Sequence, residues 1–129
     1  MIVADTDVLI DFLAGRDPGA ERVARELAHG LLRTTAVTRF ELLCGARSAR
    51  QENTIRQLLA AIPTLPLDQQ AADLAARVRR NLQKAGEEVG MADSLIAGIV
   101  LSHAGTLLTR NRRHFERVSG LRLASLQLQ

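Results

Sequence analysis

At 129 residues, 47% hydrophobic and 24% charged, the chain has the size and balance of one globular domain with a buried core, not of a disordered segment. Three Phe with no Trp or Tyr exclude a stacking platform for single-stranded nucleic acid, and sixteen arginines against one lysine, with a net charge of +3 and a pI near 10.4, bias it mildly towards polyanions. The single cysteine excludes an internal disulfide framework, and without a long apolar run or a basic leader neither a membrane anchor nor a signal peptide is expected, so the protein reads as cytoplasmic.

In chain order, MIVAD predicts a strand and TDVLIDFLAG a helix closed by Gly15. DPGAERVARELAHG predicts a second helix, with Asp17 before Pro18 as its start and Gly30 as its stop. LLRTTAV is a second strand, followed by helices over TRFELLCGARSA and QENTIRQLLAAI. PTLPL is a short strand limited by its prolines, and DQQAADLAARVRRNLQKAG a long helix with Ala72, Leu74, Ala75, Val78 and Leu82 at helical spacing. After the turn EEVG come the almost wholly apolar helix MADSLIAGIVLSHAG, the strand TLLT, a short helix RNRRHFERV and a last strand LRLASL. Strands alternating with helices predict an α/β fold, a three-layer α/β/α sandwich around a small parallel sheet. With no repeat or linker, residues 1–129 read as a single domain.

In such a sheet all the strands end at one edge, where ligands bind. Asp5 and Asp7 lie just past the first strand, Glu41 in the first turn of the helix after the second, Asp93 in the first turn of the apolar helix, and Thr109 and Asn111 just past a later strand. Acids in a first turn also serve as caps. Thr38 and Glu41 have the spacing of a capping box, and Asp7 reads more readily as a helix cap than as a ligand. Caps explain Asp93 poorly, because a helix apolar on nearly every face should be buried, and a lone buried carboxylate is unfavourable. Acids converging to about 4 or 5 Å repel by roughly 3 to 4 kcal/mol per pair at an effective dielectric near 20, so their pKa values should be raised.

MIVADTDVLIDFL, TTAVTRFELLCGA, MADSLIAGIVLSHAGTLLTRNRRHF and the closing strand, in that order over nearly the whole chain, resemble the PIN-domain ribonucleases of the VapC toxin type. The resemblance implies a PIN-like fold and an acidic pocket of Asp5, Glu41 and Asp93 holding Mg²⁺ or Mn²⁺. The fourth position, often aspartate, falls on Asn111. Hard divalent cations take carboxylate oxygens and keep several waters, so Asp5 and Asp93 are assigned as direct ligands. Glu41 is a ligand through water or the base that orients water, and Asn111 a neutral donor or weak ligand. Thr6 and Thr109 would fix carboxylate or phosphate geometry through their hydroxyls, and Arg110, Arg112 and Arg113 would meet RNA phosphates if they are not merely a solvated face. A transfer or ribosomal RNA loop is the substrate that the resemblance suggests.

A VapB-like antitoxin is the partner it implies. Val8, Leu9, Ile10, Phe12 and Leu13 on the first helix, with Val23, Ala24, Leu27 and Ala28 on the second, carry more apolar surface than one sheet face covers. A groove there, lined by Leu9, Phe12, Leu13, Val23 and Leu27, suits an amphipathic helix from that antitoxin. The alternative is that the first helix is core on one side and a homodimer contact on the other. Cys44 reads as a core thiol, and His29, His103 and His114 lack metal-ligand spacing and read as surface or helix-end residues. Two rival functions are open. An aspartyl phosphotransferase of the haloacid dehalogenase class would use Asp5 as nucleophile and Asp7 as acid, but it needs a nearby lysine and only Lys84 exists. A catalytically inactive binding module finds support only in Asn111.

Overall fold

A computed structural model describes residues 1–127; Leu128 and Gln129, the end of the expected 1–129 domain, lie outside the described residues. In chain order the elements are β1 (Ile2–Ala4), α1 (Thr6–Ala14), α2 (Gly19–Ala28), β2 (Leu32–Thr35), α3 (Ala36–Cys44) and α4 (Ala49–Ala60). Then come β3 (Thr64–Leu65), α5 (Gln69–Lys84), α6 (Met91–Ser102), β4 (Thr106–Leu108), α7 (Arg112–Phe115) and β5 (Arg122–Leu123). The strands form one parallel sheet in the order β3-β2-β1-β4-β5. Strands added after β1 go first to one side and then to the other, so the order reverses at β1, between β1 and β4.

Register fixes what that switch point presents. Ile2 pairs with Leu32 and Thr106, and Ala4 with Thr34 and Leu108. Ala4, Thr34 and Leu108 therefore stand level, and the residues after them, Asp5, Thr35 and Thr109, share one edge. Alternation along the strands divides the core into two halves, one on each face. Val3 and Leu107 face a cluster with Val78, Leu82, Ile96, Val100 and Phe115, beneath α5, α6 and α7. Ala4 and Leu108 face Val8, Leu9, Val23, Ile55 and Leu58, beneath α1, α2 and α4. The result is the expected three-layer α/β/α sandwich. Where α5 crosses α6 the backbones approach so closely that a Cβ on Gly98 would lie 2.4 Å from the Ala71 carbonyl oxygen. No described helix is long and apolar enough to cross a membrane.

Several local readings change. β2 stops at Thr35, whose hydroxyl caps α3 by accepting the Thr38 N–H at 3.1 Å. The helix thus starts two residues earlier than its sequence suggests, Thr38 is no capping-box residue, and Glu41 falls in the second turn. The buried stripe of α5 is Ala71, Ala75, Val78 and Leu82, and Ala72 is exposed. Cys44 is exposed, not a core thiol, because it closes α3 on the side away from buried Leu42.

The apolar surface of α1 is also disposed differently. Leu9 and Val23 are fully buried, and Phe12 and Leu27 pack half-buried against the same cluster, since α2 folds back over α1 and fills the space between them. They line core, not a groove. The large apolar side chains that α1 leaves open are Ile10 and Leu13, on its other flank.

Candidate active site

Asp5 is the residue just before α1, and its carboxylate binds in two directions. One oxygen accepts the Thr6 N–H at 2.8 Å and the other the Thr109 hydroxyl at 2.7 Å. At 5% exposure it is almost out of water. Burial pushes its carboxyl up to about 6, Asp7 and Asp93 add to the rise by repulsion, and the two hydrogen bonds hold it back.

Asp7 turns its carboxylate across the crevice as well as towards the Val8 N–H of its own helix. Its Oδ2 accepts the Arg110 backbone N–H at 3.0 Å and lies 3.3 Å from the Thr109 hydroxyl. Its Oδ1 is buried without a hydrogen-bond partner among the described residues, and burial raises its pKa as well. Thr109, at the end of β4, donates to Asp5 and accepts the Asn111 N–H at 3.0 Å. The switch point thus holds two carboxylates side by side, tied to the β4 end by one hydroxyl and one amide.

Glu41 reaches the same edge from α3, where its Oε1 accepts the Thr6 hydroxyl at 2.7 Å. Thr6, Thr38 and Thr35 continue inward as a file of hydroxyls, with oxygens 3.1 and 3.3 Å apart. Asp93, in the first turn of α6, is part-exposed and not buried as its apolar helix suggested, because its side chain turns towards the exposed His114 on α7. Its Oδ2 lies 2.9 Å from Nδ1 of His114 on α7. Since a carboxylate only accepts, Nδ1 carries the proton in this contact.

The remaining candidates divide. Asn111 is exposed, and its backbone, not its side chain, makes the hydrogen bond at this edge. Arg110 turns its guanidinium to buried Asp11, Nε to Oδ2 at 2.8 Å, and Arg112 donates to the Ala124 carbonyl at 2.9 Å. Both are engaged within the chain. Arg113 is exposed, with no ion pair among the described residues. Asp11 and His114 were missed as site neighbours. Spacing of four places Asp7 and Asp11 on one face of α1 and is visible in the sequence, whereas nothing local connects His114 to Asp93.

Among the described residues no three acidic or histidine side chains stand close enough together to enclose a cation. Mg²⁺ and Mn²⁺ do not require such a cage, because one or two carboxylates with several waters suffice. The oxygen-only donors and the unpartnered, buried Oδ1 of Asp7 fit a hard cation of that kind. Glu41 also lines two apolar hollows. One, of about 490 Å³, lies between α1, α3 and α4 with Ile10, Leu13 and Ile55; the other, of about 410 Å³, is flanked by exposed Phe40, Leu67 and Met91.

The sequence profile of the PIN domain matches residues 2–121. The tRNA(fMet)-specific endonuclease VapC of Shigella flexneri is 33% identical over 122 residues, 92% of either chain. Ribonuclease VapC5 of Mycobacterium tuberculosis is 32% identical over 84% of this chain and 82% of its own. A crystal structure of DNA-bound VapBC from Salmonella typhimurium superposes with a TM-score of 0.85 at 26% identity, covering 98% of both chains. With this fold, these acids at the switch point and relatives of this closeness along its length, the chain belongs to the PIN-domain family, among its VapC-type ribonucleases.

Proposed function

We propose that this chain is the toxin of a toxin–antitoxin pair, a single-domain endoribonuclease dependent on Mg²⁺ or Mn²⁺ that acts on structured RNA in the cytoplasm. The observation that carries this reading is the Asp5–Asp7 pair at the β1–β4 switch point, with one buried oxygen lacking a partner among the described residues and the Asp5 carboxyl pushed up to about 6. Asp5 and Asp93 would hold the cation directly, Asp7 through its free Oδ1, and Glu41 through water. Once bound, the cation supplies charge neutralisation at the scissile phosphate and lowers the pKa of a water into nucleophilic range.

The chain's own groups do the rest. The Thr6 hydroxyl fixes Glu41, which accepts a proton from the attacking water, and the Thr109 hydroxyl fixes Asp5. Asn111, exposed just past β4, donates to RNA, and Arg113 meets a flanking phosphate. Arg110 and Arg112, bound within the chain, leave the set of phosphate contacts. Because a relative is named for tRNA(fMet), transfer RNA is the first substrate class to assay. The Salmonella relative was solved as VapBC, which supports a VapB-like antitoxin. Its apolar side chains would enter the hollow between α1, α3 and α4, and a basic side chain would approach Glu41.

Single-turnover cleavage of purified transfer RNA in Mn²⁺, Mg²⁺ and EDTA tests the reading. Cleavage should require the cation, and Asp5→Asn, Glu41→Gln and Asp93→Asn should each slow it by about a hundredfold or more. An unimpaired Asp93→Asn protein removes Asp93 from the site, and cleavage that persists in EDTA removes the metal.

A further inference from the structure

Asp11 is a buried acid that the scheme above does not use. Its side chain is 8% exposed, and two guanidiniums reach it, Arg110 at 2.8 Å and Arg16 at 3.6 Å. Room for its carboxylate comes from Gly19 at the start of α2, where a Cβ would sit 2.8 Å from Asp11 Oδ2. A carboxylate this dry is stable only when paired, and the half-exposed Arg110 is the nearer of its partners.

Residue 110 is gripped twice. Asp11 takes its side chain, and Asp7, one turn earlier on the same face of α1, takes its backbone N–H at 3.0 Å. Its neighbours serve the same edge, since the Thr109 hydroxyl donates to Asp5 and the Asn111 N–H donates to Thr109. The short loop between β4 and α7 thus supplies the hydrogen bonds that Asp5 and Asp7 receive from across the crevice. Its ion pair to Asp11 is the one that residues 109–111 make among the described residues.

We propose that Asp11 is a positioning residue: by clamping the Arg110 side chain it holds the loop whose amide and hydroxyl set the orientation of Asp7 and Asp5. Two like charges placed side by side turn away from each other unless donors hold them, and a cation site tolerates only about half an ångström of error. The consequence for catalysis rests on the ribonuclease reading. The clamp itself is measurable without RNA or metal.

The test compares wild type with Asp11→Asn, Arg110→Gln and the double variant. In metal-free protein the Arg110 amide should exchange its hydrogen about tenfold faster or more in each single variant, with core amides of β1 and α6 unaffected. Mn²⁺ titration followed by electron paramagnetic resonance should show affinity weakened by about five- to tenfold. The single-turnover rate should fall by about tenfold, with the half-saturating RNA concentration unchanged. The double variant should match the singles in every measurement, because Asp11 acts through Arg110. If Asp11→Asn does not fold, Arg110→Gln alters a half-exposed side chain and carries the test alone. Unchanged amide exchange overturns the proposal, and so does lost protection with wild-type Mn²⁺ affinity. A wild-type protein that cuts no RNA overturns the ribonuclease reading instead, and the amide and Mn²⁺ measurements still decide the clamp.

Discussion

Asp5 carries the largest electrostatic burden of any side chain at the site. Folding raises its carboxyl from 3.8 to about 6, so the folded chain binds that proton more tightly than the unfolded one. Its contribution to stability is therefore fully present below pH 3.8 and is lost as pH rises through 6, a difference on the order of 3 kcal/mol. In EDTA, Asp5→Asn should raise the melting temperature at pH 7.5 by several degrees, and the gain should shrink as the pH falls below 6. Thermal melts at a series of pH values check this, and a gain independent of pH would place the strain elsewhere. The direction of the rise agrees with the reading from converging acids, but its main cause does not, since no three acids stand together among the described residues. Burial dominates, and Asp7 outweighs Asp93 as the repelling neighbour. That ranking depends on side-chain direction, and an acid in a first turn looks the same in sequence whether it caps its own helix or reaches across a crevice, as Asp7 does.

Helix α1 shows how an element can be read correctly and placed wrongly. Its bounds, its Gly15 terminus in the left-handed region at φ 68 and its apolar character all follow from the sequence. Periodicity does not reveal which neighbours cover which flank, because α1 is apolar around most of its circumference. α2 folds over Leu9, while Ile10 and Leu13 stay open towards α3 and α4. Leu9→Glu should therefore prevent folding, as a buried unpaired charge does. Leu13→Glu, at a side chain 37% exposed, should fold with a melting temperature within about 3 °C of wild type, since surface substitutions rarely matter more. It should nevertheless reduce antitoxin retention in a co-expression pull-down. Equal retention by wild type and Leu13→Glu would move the partner to another face. The start of α3 was misread for a related reason: Thr34 and Thr35 prolong a β-branched run, and only the Thr35 hydroxyl on the Thr38 amide marks the boundary.

At the scale of the whole molecule the parallel sheet and its shared strand edge were legible, because each short apolar run stops at a polar residue and the helices between them impose parallel crossovers; the strand order β3-β2-β1-β4-β5 was not. The Thr109 hydroxyl on Asp5 fits the role read for it, whereas the contacts of Asp7 and Asp11 with Arg110 and of Asp93 with His114 were not legible. The contacts of Asp5, Asp7 and Asp11 with Thr109 and Arg110 bring distant parts of the chain to one crevice, so filling that crevice should stabilise the fold as a unit. Millimolar Mn²⁺ should raise the melting temperature of wild type by a few degrees and leave Asp5→Asn almost unmoved. An equal rise in both would mean that the ion binds elsewhere.

The central place of β1 has a temporal consequence as well. β1 pairs on one side with β2, made soon after it, but on the other it waits for β4, and Asp5 waits for a hydroxyl 104 residues downstream. Contacts so distant in sequence form late in folding. A nascent chain that has not yet extruded Thr109 cannot assemble the crevice, so the site is closed last, when β4 joins β1. On the ribonuclease reading proposed above, this ordering would delay activity until the two ends of the sheet have met.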